Sequence, residues 1–355
     1  MSEHPLKQIL TGQGAVIENV RGLETPVHYG DPEAEYARVA GPGGIYIAFD
    51  RGAIDITGKD RAAWLHNLVT NTVKNLQPGE GNYTFAVNVK GRILFDGNVI
   101  VLNDRIRLDV DRRYVEKAIT HLKKYCIMED VKLTDVSSDF VRVAIVGESA
   151  LKQLAAFGAG QAVSMAAQGS THLELAGQQR LLVRNDFAGV PAAELYLKAI
   201  DAQSCWDSLK SLGLEPLGFQ AIDTRRMEAG IPLYGVDIDE ENLPAETGQF
   251  DRTVSFTKGC YLGQEIVERM RSRESEASKL VGIRLEKETP IDSKTPFQVE
   301  GKDAGIITSS CWSPATRARI ALGYAKSVFA TPGVAVSMTA GEPNQGTIAS
   351  LPSAP

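Results

Sequence analysis

Two stretches of this chain follow the same plan, and that repetition limits the folds open to it. Gly52-Ala53-Ile54-Asp55-Ile56-Thr57-Gly58 alternates like a strand and runs into Lys59 to Val69. The second stretch has helical spacing, with Trp64, Leu65, Leu68 and Val69 on one face. Val141-Arg142-Val143-Ala144-Ile145-Val146-Gly147 repeats the strand. Glu148 to Phe157 repeats the helix, with Leu151, Leu154 and Ala155 inward. The units start about ninety positions apart and predict an internal structural repeat.

The intervening pattern is mixed. Asn82 to Val89 and Arg92 to Leu102 read as a hairpin closed by the turn Val89-Lys90-Gly91-Arg92. Arg105 to Val110 reads as a strand, and Arg113 to Tyr125 as a helix burying Val115, Ile119, Leu122 and the following Cys126. Strands are expected at His172 to Leu175, Gln179 to Asn185 and Ala193 to Ala199. A helix from Asp201 to Leu212 then buries Cys205, Trp206 and Leu209. Such ordering points to the α+β class, not a doubly wound parallel sheet.

Gly218 to Ala229 reads as a helix ended by Gly230, with Pro232 just beyond. Ile231 to Phe256 is irregular, and a long structured loop of this kind is usually functional. Beyond it, 272–278 reads as a linker. Residues 279–340 carry short strands with turns, the pattern of a small β-barrel or sandwich. Residues 1–48 read as a polar lead-in and 341–355 as a flexible tail. With 355 residues and 43% hydrophobic content, two or three domains are expected.

Charge and cysteine usage narrow the function classes. A net charge of −6 argues against a nucleic-acid partner. Cys126, Cys205, Cys260 and Cys311 form no C-x-x-C pair, and the five histidines are scattered. That spacing suggests neither a zinc site nor a disulfide framework, so a reducing compartment is expected. No apolar run has the length of a membrane span, and Met1 to Val20 has no signal-peptide core. The expected location is cytoplasmic, or the mitochondrial matrix in a eukaryote. Gly12-Gln13-Gly14 lacks the third glycine of a dinucleotide fingerprint.

Four places could carry chemistry. In Lys258-Gly259-Cys260-Tyr261-Leu262-Gly263-Gln264-Glu265 a cysteine sits between glycine and an aromatic, just before a helical stretch. A nearby cation and a helix start would favour its thiolate, as nucleophile, redox group or metal ligand. A lone cysteine does not hold an iron–sulfur cluster, so any metal at Cys260 is shared with a partner. Asp96 follows the hairpin turn, where it faces either a cleft or solvent. Glu194 lies in the apolar strand Ala193-Glu194-Leu195-Tyr196-Leu197. It suits an amidine-like edge through paired charge-assisted hydrogen bonds, or it faces water. Of Arg225 and Arg226, one is expected in solvent and the other on an acid or an anionic ligand. Arg269, Arg271 and Arg273 form a local basic run that is solvated or touches a polyanion.

The cysteine octapeptide resembles the signature of the YgfZ proteins, bacterial relatives of a mitochondrial iron–sulfur assembly factor. Both are similar to the T-protein of the glycine cleavage system, a folate-dependent aminomethyltransferase. The run Asp223-Thr224-Arg225-Arg226-Met227-Glu228-Ala229-Gly230 through Tyr234-Gly235-Val236-Asp237, and Pro244-Ala245-Glu246-Thr247-Gly248, look like superfamily motifs. Gly301 to Ser309 with Trp312-Ser313-Pro314 resembles the C-terminal barrel's pattern. The likeness runs from about Phe49 to Met338.

The resemblance implies a T-protein-like cloverleaf of three subdomains around a central folate cavity, with a C-terminal β-barrel. Residues 49–271 would form the folate-binding part. Glu194 matches the acid that binds the pterin edge. Asp96 matches one acid of the catalytic turn, and Phe95 stands where the preceding acid would be. Arg226 and Tyr234 fall in the superfamily run and would line the folate site. Phe187-Ala188-Gly189-Val190-Pro191-Ala192-Ala193-Glu194 keeps only the glycine and the final glutamate of the T-protein segment. The function implied is a tetrahydrofolate-binding accessory factor in assembly or repair of iron–sulfur proteins. Its partners would be iron–sulfur carrier or client proteins, with a cluster bound only transiently at Cys260. The alternative is a folate-dependent aminomethyltransferase or one-carbon transferase, and a third reading is a scaffold that has lost folate.

Overall fold

The computed structural model describes residues 6–273, 276–341 and 343–352. Its first elements are α1 (Lys7–Gly12), β1 (Val16–Val20), β2 (Leu23–His28), α2 (Pro32–Ala40), β3 (Gly44–Ile47), β4 (Arg51–Thr57) and α3 (Arg61–His66). Next come β5 (Gly81–Val87), β6 (Ile93–Val101), β7 (Ile106–Asp111), α4 (Val115–Lys123), β8 (Lys132–Asp135), β9 (Phe140–Val146) and α5 (Glu148–Gln153). They are followed by β10 (Ser170–Leu175), β11 (Gln178–Arg184), β12 (Ala192–Lys198), α6 (Ala202–Ser211), β13 (Pro216–Leu217) and α7 (Phe219–Glu228). The remainder is α8 (Phe250–Thr253), α9 (Gln264–Arg273), β14 (Ser278–Leu285), β15 (Pro296–Val299), β16 (Lys302–Ser313), β17 (Ala318–Lys326), β18 (Ala335–Met338) and β19 (Gln345–Ala349).

The repeat expected from the sequence is present as topology. One sheet has the order β5-β6-β7-β4-β8, the other β10-β11-β12-β9-β3-β13. In both, three successive strands follow a strand–helix unit, and the last of them pairs antiparallel with the strand that opened it. The glycines ending those opening strands, Gly58 and Gly147, share φ +102°. A side chain at Gly58 would place its Cβ 2.0 Å from the Asp130 carbonyl oxygen, so the turn into each helix is built for glycine.

Two compact units emerge. The first comprises Met1–His66, Thr72–Tyr83 and Gly97–Asp223. There Val143, Ile145, Ala193 and Leu195 point to one face of the six-stranded sheet. They pack with Leu6, Leu10, Leu151, Leu154, Cys205, Trp206 and Leu209. Alternation sends Arg142, Ala144, Glu194 and Tyr196 to the opposite face. That face meets residues from the other sheet, and Leu181, Val183 and Tyr196 pack with Ala53 and Ile100.

The second unit comprises Asn67–Asn71, Thr84–Asp96 and Thr224–Pro355. Its C-terminal part is a closed six-stranded barrel in the order β14-β17-β16-β15-β18-β19. Val281, Ile283, Phe297, Ile307, Ala321, Val336 and Ile348 fill it. Met227 packs with Leu280, Ile320, Leu322 and Tyr324.

Several expectations need correction. The stretch 1–48 is not a lead-in, because it supplies α1, α2, the β1–β2 hairpin and β3, which pairs with β9 inside a sheet. The stretch 341–355 is not a free tail, because Gln345–Ala349 pairs with β14 and β18 and closes the barrel. The first repeat helix ends at His66 rather than Val69, although Leu68 and Val69 remain buried. Cys126 is half-buried, not buried. Of the linker expected at 272–278, Arg273 still belongs to α9 and Ser278 opens β14, while Glu274 and Ser275 lie outside the described residues.

Candidate functional site

Glu194 sits on β12 opposite Ala144 of β9, and it is 1% exposed. A carboxylate in such a position needs partners, because an unpaired buried charge is costly. Its Oε2 accepts from Arg142 Nη2, and its Oε1 accepts from Asn185 Nδ2 at 2.5 Å. Arg142 also donates to both carboxylate oxygens of Asp109 on β7, at 3.1 and 3.3 Å. Arg51 reaches Asp109 from β4, donating through Nε at 3.2 Å and standing 3.0 Å from Oδ2 through Nη2. Asn98 Nδ2 completes the Asp109 set at 3.3 Å.

Two guanidiniums and two carboxylates therefore share one largely buried cluster and balance in charge. Burial alone would raise the Asp109 carboxyl, but Arg142 and Arg51 outweigh it and hold its pKa down to about 2. The Tyr196 ring lies between cations, with the Arg142 guanidinium 3.7 Å from its centroid and that of Arg107 at 4.9 Å. Arg107 is itself forked onto Asp55 at 2.8 and 2.9 Å. Burial pushes the Tyr196 hydroxyl pKa up, so it stays protonated. Tyr196 Oη and Arg142 Nε have no hydrogen-bond partner among the described residues. Unused polar atoms beside a paired carboxylate make this cluster the best-equipped ligand site in the first unit.

In the second unit, Asp96 is half-buried on β6, directly after the buried Phe95. The hairpin that carries it is pinned from two directions. Tyr234, 3% exposed, donates its hydroxyl to the Leu94 carbonyl. Ile93 N donates to the Asn242 carbonyl at 3.1 Å, and Arg92 donates to the Glu241 carbonyl.

The cysteine octapeptide holds the same hairpin from the other side. A Cβ on Gly263, which has φ +79°, would come within 2.4 Å of the Asn88 carbonyl oxygen, so the hairpin turn rests directly on this glycine. Lys258 Nζ donates to the carbonyls of Val69 and Asn71 at 2.5 and 2.8 Å, and lies 4.8 Å from the Tyr261 ring centroid. Leu262 N donates to the Asn67 carbonyl at 3.0 Å. Gln264 Oε1 accepts from Tyr261 N at 3.3 Å, and Glu265 pairs with Arg269 at 2.8 Å. Packing thus accounts for most of the motif. It does not account for Cys260, which is exposed, nor for Gly259, beside which an added Cβ would meet nothing within 4 Å.

The expected thiol environment is corrected in one respect. Helix α9 starts at Gln264, four positions beyond Cys260, and a helix-terminal field fades within one turn. The Lys258 ammonium is directed at backbone carbonyls. Accessibility, rather than a helix start, is what distinguishes Cys260.

Arg226 is 6% exposed, and its Nη1 donates to Asp237 Oδ2 at 2.7 Å and to the Ile231 carbonyl at 3.1 Å. Asp237 also accepts from Leu233 N at 3.0 Å and from the hydroxyls of Thr308 and Ser309, each at 2.6 Å. Thr308 lies within a register shift of β16, and Ser309 directly follows it. Two superfamily runs noted in the sequence therefore meet as a latch from α7 to the barrel. Arg225 pairs with Glu228 at 2.8 Å. Arg269 and Arg271 are exposed, and the Arg271 guanidinium lies 4.2 Å from the Phe256 ring centroid.

Sequence reasoning singled out Glu194 but missed Asp109, Arg142, Arg51 and Asn185. A signal was there. Arg105 to Asp111 alternates charged and apolar residues, yet every residue of β7 is buried. Charges alternating in two strands of a repeat are candidates for a shared polar interior.

Among the described residues no group of His, Cys, Asp or Glu has the arrangement of a metal site, and no helix is long and apolar enough to cross a membrane.

Comparison with known proteins places these features in a family. Residues 6–258 match the model of the GCVT N-terminal domain, and residues 279–353 that of the glycine cleavage T-protein C-terminal barrel domain. An aminomethyltransferase of Halothermothrix orenii is 29% identical over 343 residues, covering 95% of each chain. One from Rubrobacter xylanophilus is 28% identical over 320 residues, 90% of this chain and 86% of that one. Among solved structures, glycine cleavage system aminomethyltransferase T from Bartonella henselae matches with a TM-score of 0.87 at 21% identity. That match covers 98% of this chain and 96% of the other, and it bears on the fold. The expected T-protein fold with a C-terminal β-barrel is what the chain has, and the barrel has six strands.

Proposed function

The chain belongs to the glycine cleavage T-protein family, and from that premise we propose that it binds tetrahydrofolate and transfers a one-carbon unit to or from it, as an aminomethyltransferase does. The observation carrying this reading is the Glu194 cluster. Each Glu194 oxygen accepts one hydrogen bond within the protein and keeps capacity for another donor. The cluster is already charge-balanced, so it favours a neutral edge rich in N–H groups over a cation. The pterin edge of a folate is such a group. The orphaned Tyr196 hydroxyl adds a further polar contact. These residues fit the ligand in chemistry. Because Glu194 is 1% exposed, binding has to uncover it.

When bound, tetrahydrofolate supplies the nitrogens that accept or release the one-carbon unit. The chain's own contribution is positional and electrostatic. Arg142 and Asn185 keep the Glu194 carboxylate oriented, and Arg51 and Asp109 keep Arg142 in place. By its motif position Asp96, on a hairpin fixed by Tyr234 and Gly263, is the acid that would hold a proton during transfer.

Titration of the protein with tetrahydrofolate tests the binding step, followed by assay of methylenetetrahydrofolate formation from an amine donor. Saturable binding weakened in Glu194→Gln, with turnover lost in Asp96→Asn, supports the reading. No saturable binding to the wild-type chain overturns it.

A second reading rests on one observation, the exposed Cys260 beside an unobstructed Gly259. In it, the folate-bound protein serves assembly or repair of iron–sulfur proteins, with Cys260 as a transient ligand or redox group shared with a carrier or client. Cys260→Ser in cells would then lower cluster-dependent enzyme activities under oxidative stress. Unchanged activities would leave the transferase reading alone.

A further inference from the structure

The geometry points to a second binding site on the C-terminal barrel, a groove for an extended acidic peptide segment of a partner protein. A surface cavity of about 420 Å³ lies where β14 and β16 end and β17 begins, lined by Arg284, Lys287, Trp312, Arg317 and Arg319. In a chain of net charge −6, this is a local excess of cations.

Three of the four cations are held, but not neutralised. Arg284 donates to the Thr316 carbonyl at 3.3 Å, Lys287 to the Pro343 carbonyl at 2.6 Å, and Arg319 to the Glu288 carbonyl at 2.6 Å. Backbone carbonyls fix the side chains without cancelling their charge. Glu286 and Glu288 share the cavity wall, yet among the described residues no carboxylate pairs with any of the four cations. Elsewhere in the second unit, Arg225, Arg226 and Arg269 all pair with acids. The groove is therefore preorganised for a negative ligand, which lowers the ordering cost of binding.

Its dimensions select the kind of ligand. Arg284 on β14 and Trp312 on β16 are separated by β17, so their strands stand roughly 9–10 Å apart at the usual strand spacing. Trp312 is paired across the ladder with Arg319, which sets an aromatic surface beside that cation. A single compact anion would reach only one side. An extended peptide places side chains of one face roughly 6–7 Å apart, so successive acids can meet successive cations along the cavity. Three of the four cations are arginines, whose planar forks match carboxylates. Trp and Arg together are also the residue types that anchor protein partners most often. The two glutamates in the wall oppose long uniform polyanions such as nucleic acid.

The site is independent of the folate reading. The test uses the full-length chain and a fluorescein-labelled peptide of alternating glutamate and leucine, followed by fluorescence anisotropy. Saturable binding is expected, weakened at least tenfold in Arg319→Glu and when glutamine replaces glutamate in the peptide. Arg317→Glu, on an exposed turn, serves as the second variant should Arg319→Glu fold poorly, and the same loss is expected. Equal affinity for the two peptides overturns the proposal. Unchanged binding in a folded variant does so too, as does inorganic triphosphate or duplex DNA competing as well as the glutamate peptide.

Discussion

Arg142 and Asp109 lie 33 positions apart in the chain, on different sheets, and meet at 3.1 Å in the interior of the first unit. Through that contact one repeat of the fold braces the acid contributed by the other. Removing Arg142 leaves Asp109 with Arg51 and Asn98 and takes a donor from Glu194. Arg142→Ala should therefore destabilise the protein by about 3–5 kcal/mol, read from urea unfolding at neutral pH. Loss below about 1 kcal/mol would mean that the cluster is already hydrated.

Arg226 is tied into the protein's own structure. Its guanidinium is engaged by Asp237, which Thr308 and Ser309 also hold. Arg226→Leu is expected to lower stability by about 3–5 kcal/mol. Folate affinity, measured where the variant is still folded, should change less than twofold, and a large affinity loss without destabilisation would restore the ligand-binding role.

The two inner glycines of the cysteine motif should respond oppositely. Gly263→Ala forces a Cβ toward the Asn88 carbonyl at φ +79° and should cost about 1–3 kcal/mol. Gly259→Ala meets open space and should stay within about 0.5 kcal/mol of wild type. Thermal melts of the two variants side by side check the contrast.

The thiols should modify in order of exposure. Cys260 is exposed, Cys126 and Cys311 are half-buried, and Cys205 is buried with its thiol pKa pushed up by that burial. A thiol-reactive chromogen should show a fast phase that Cys260→Ser removes, with stability unchanged within about 0.5 kcal/mol. A fast phase persisting in that variant would show that another cysteine is the accessible one.

Stability should also fall on mild acidification, through His121. Burial, then Lys124 and Lys117, lower its pKa from the ordinary 6.5. The unfolded chain then takes up the proton at a higher pH than the folded chain does. The contribution is fully present above pH 6.5 and is lost as pH drops from there through the folded value. His121→Gln should flatten the stability profile in that window, as followed by urea midpoints.

Much of this protein was legible in the sequence because local rules carry it. The repeated strand–glycine–helix units, the β5–β6 hairpin and the strand-rich C-terminus follow from periodicity and turn residues. The C-terminal stretch differs from expectation because polar composition marks both a tail and a barrel strand with one face in solvent. Gln345–Ala349 is a strand only because β14 and β18 are there to pair with it.

Side-chain fate divides the same way. Residue order marked out the side chains that could matter: Glu194 in an apolar strand, Asp96 after a turn and Cys260 among glycines. Tertiary structure decided what each one meets. It gave Glu194 an arginine from another strand, gave Arg226 an acid held by two barrel hydroxyls, and used the neighbours of Cys260 to seat a hairpin. Alternation fixes the face a residue occupies but not what is packed against that face. Long-range pairing alone turned charges spaced along β4, β7, β9 and β12 into one buried, balanced cluster.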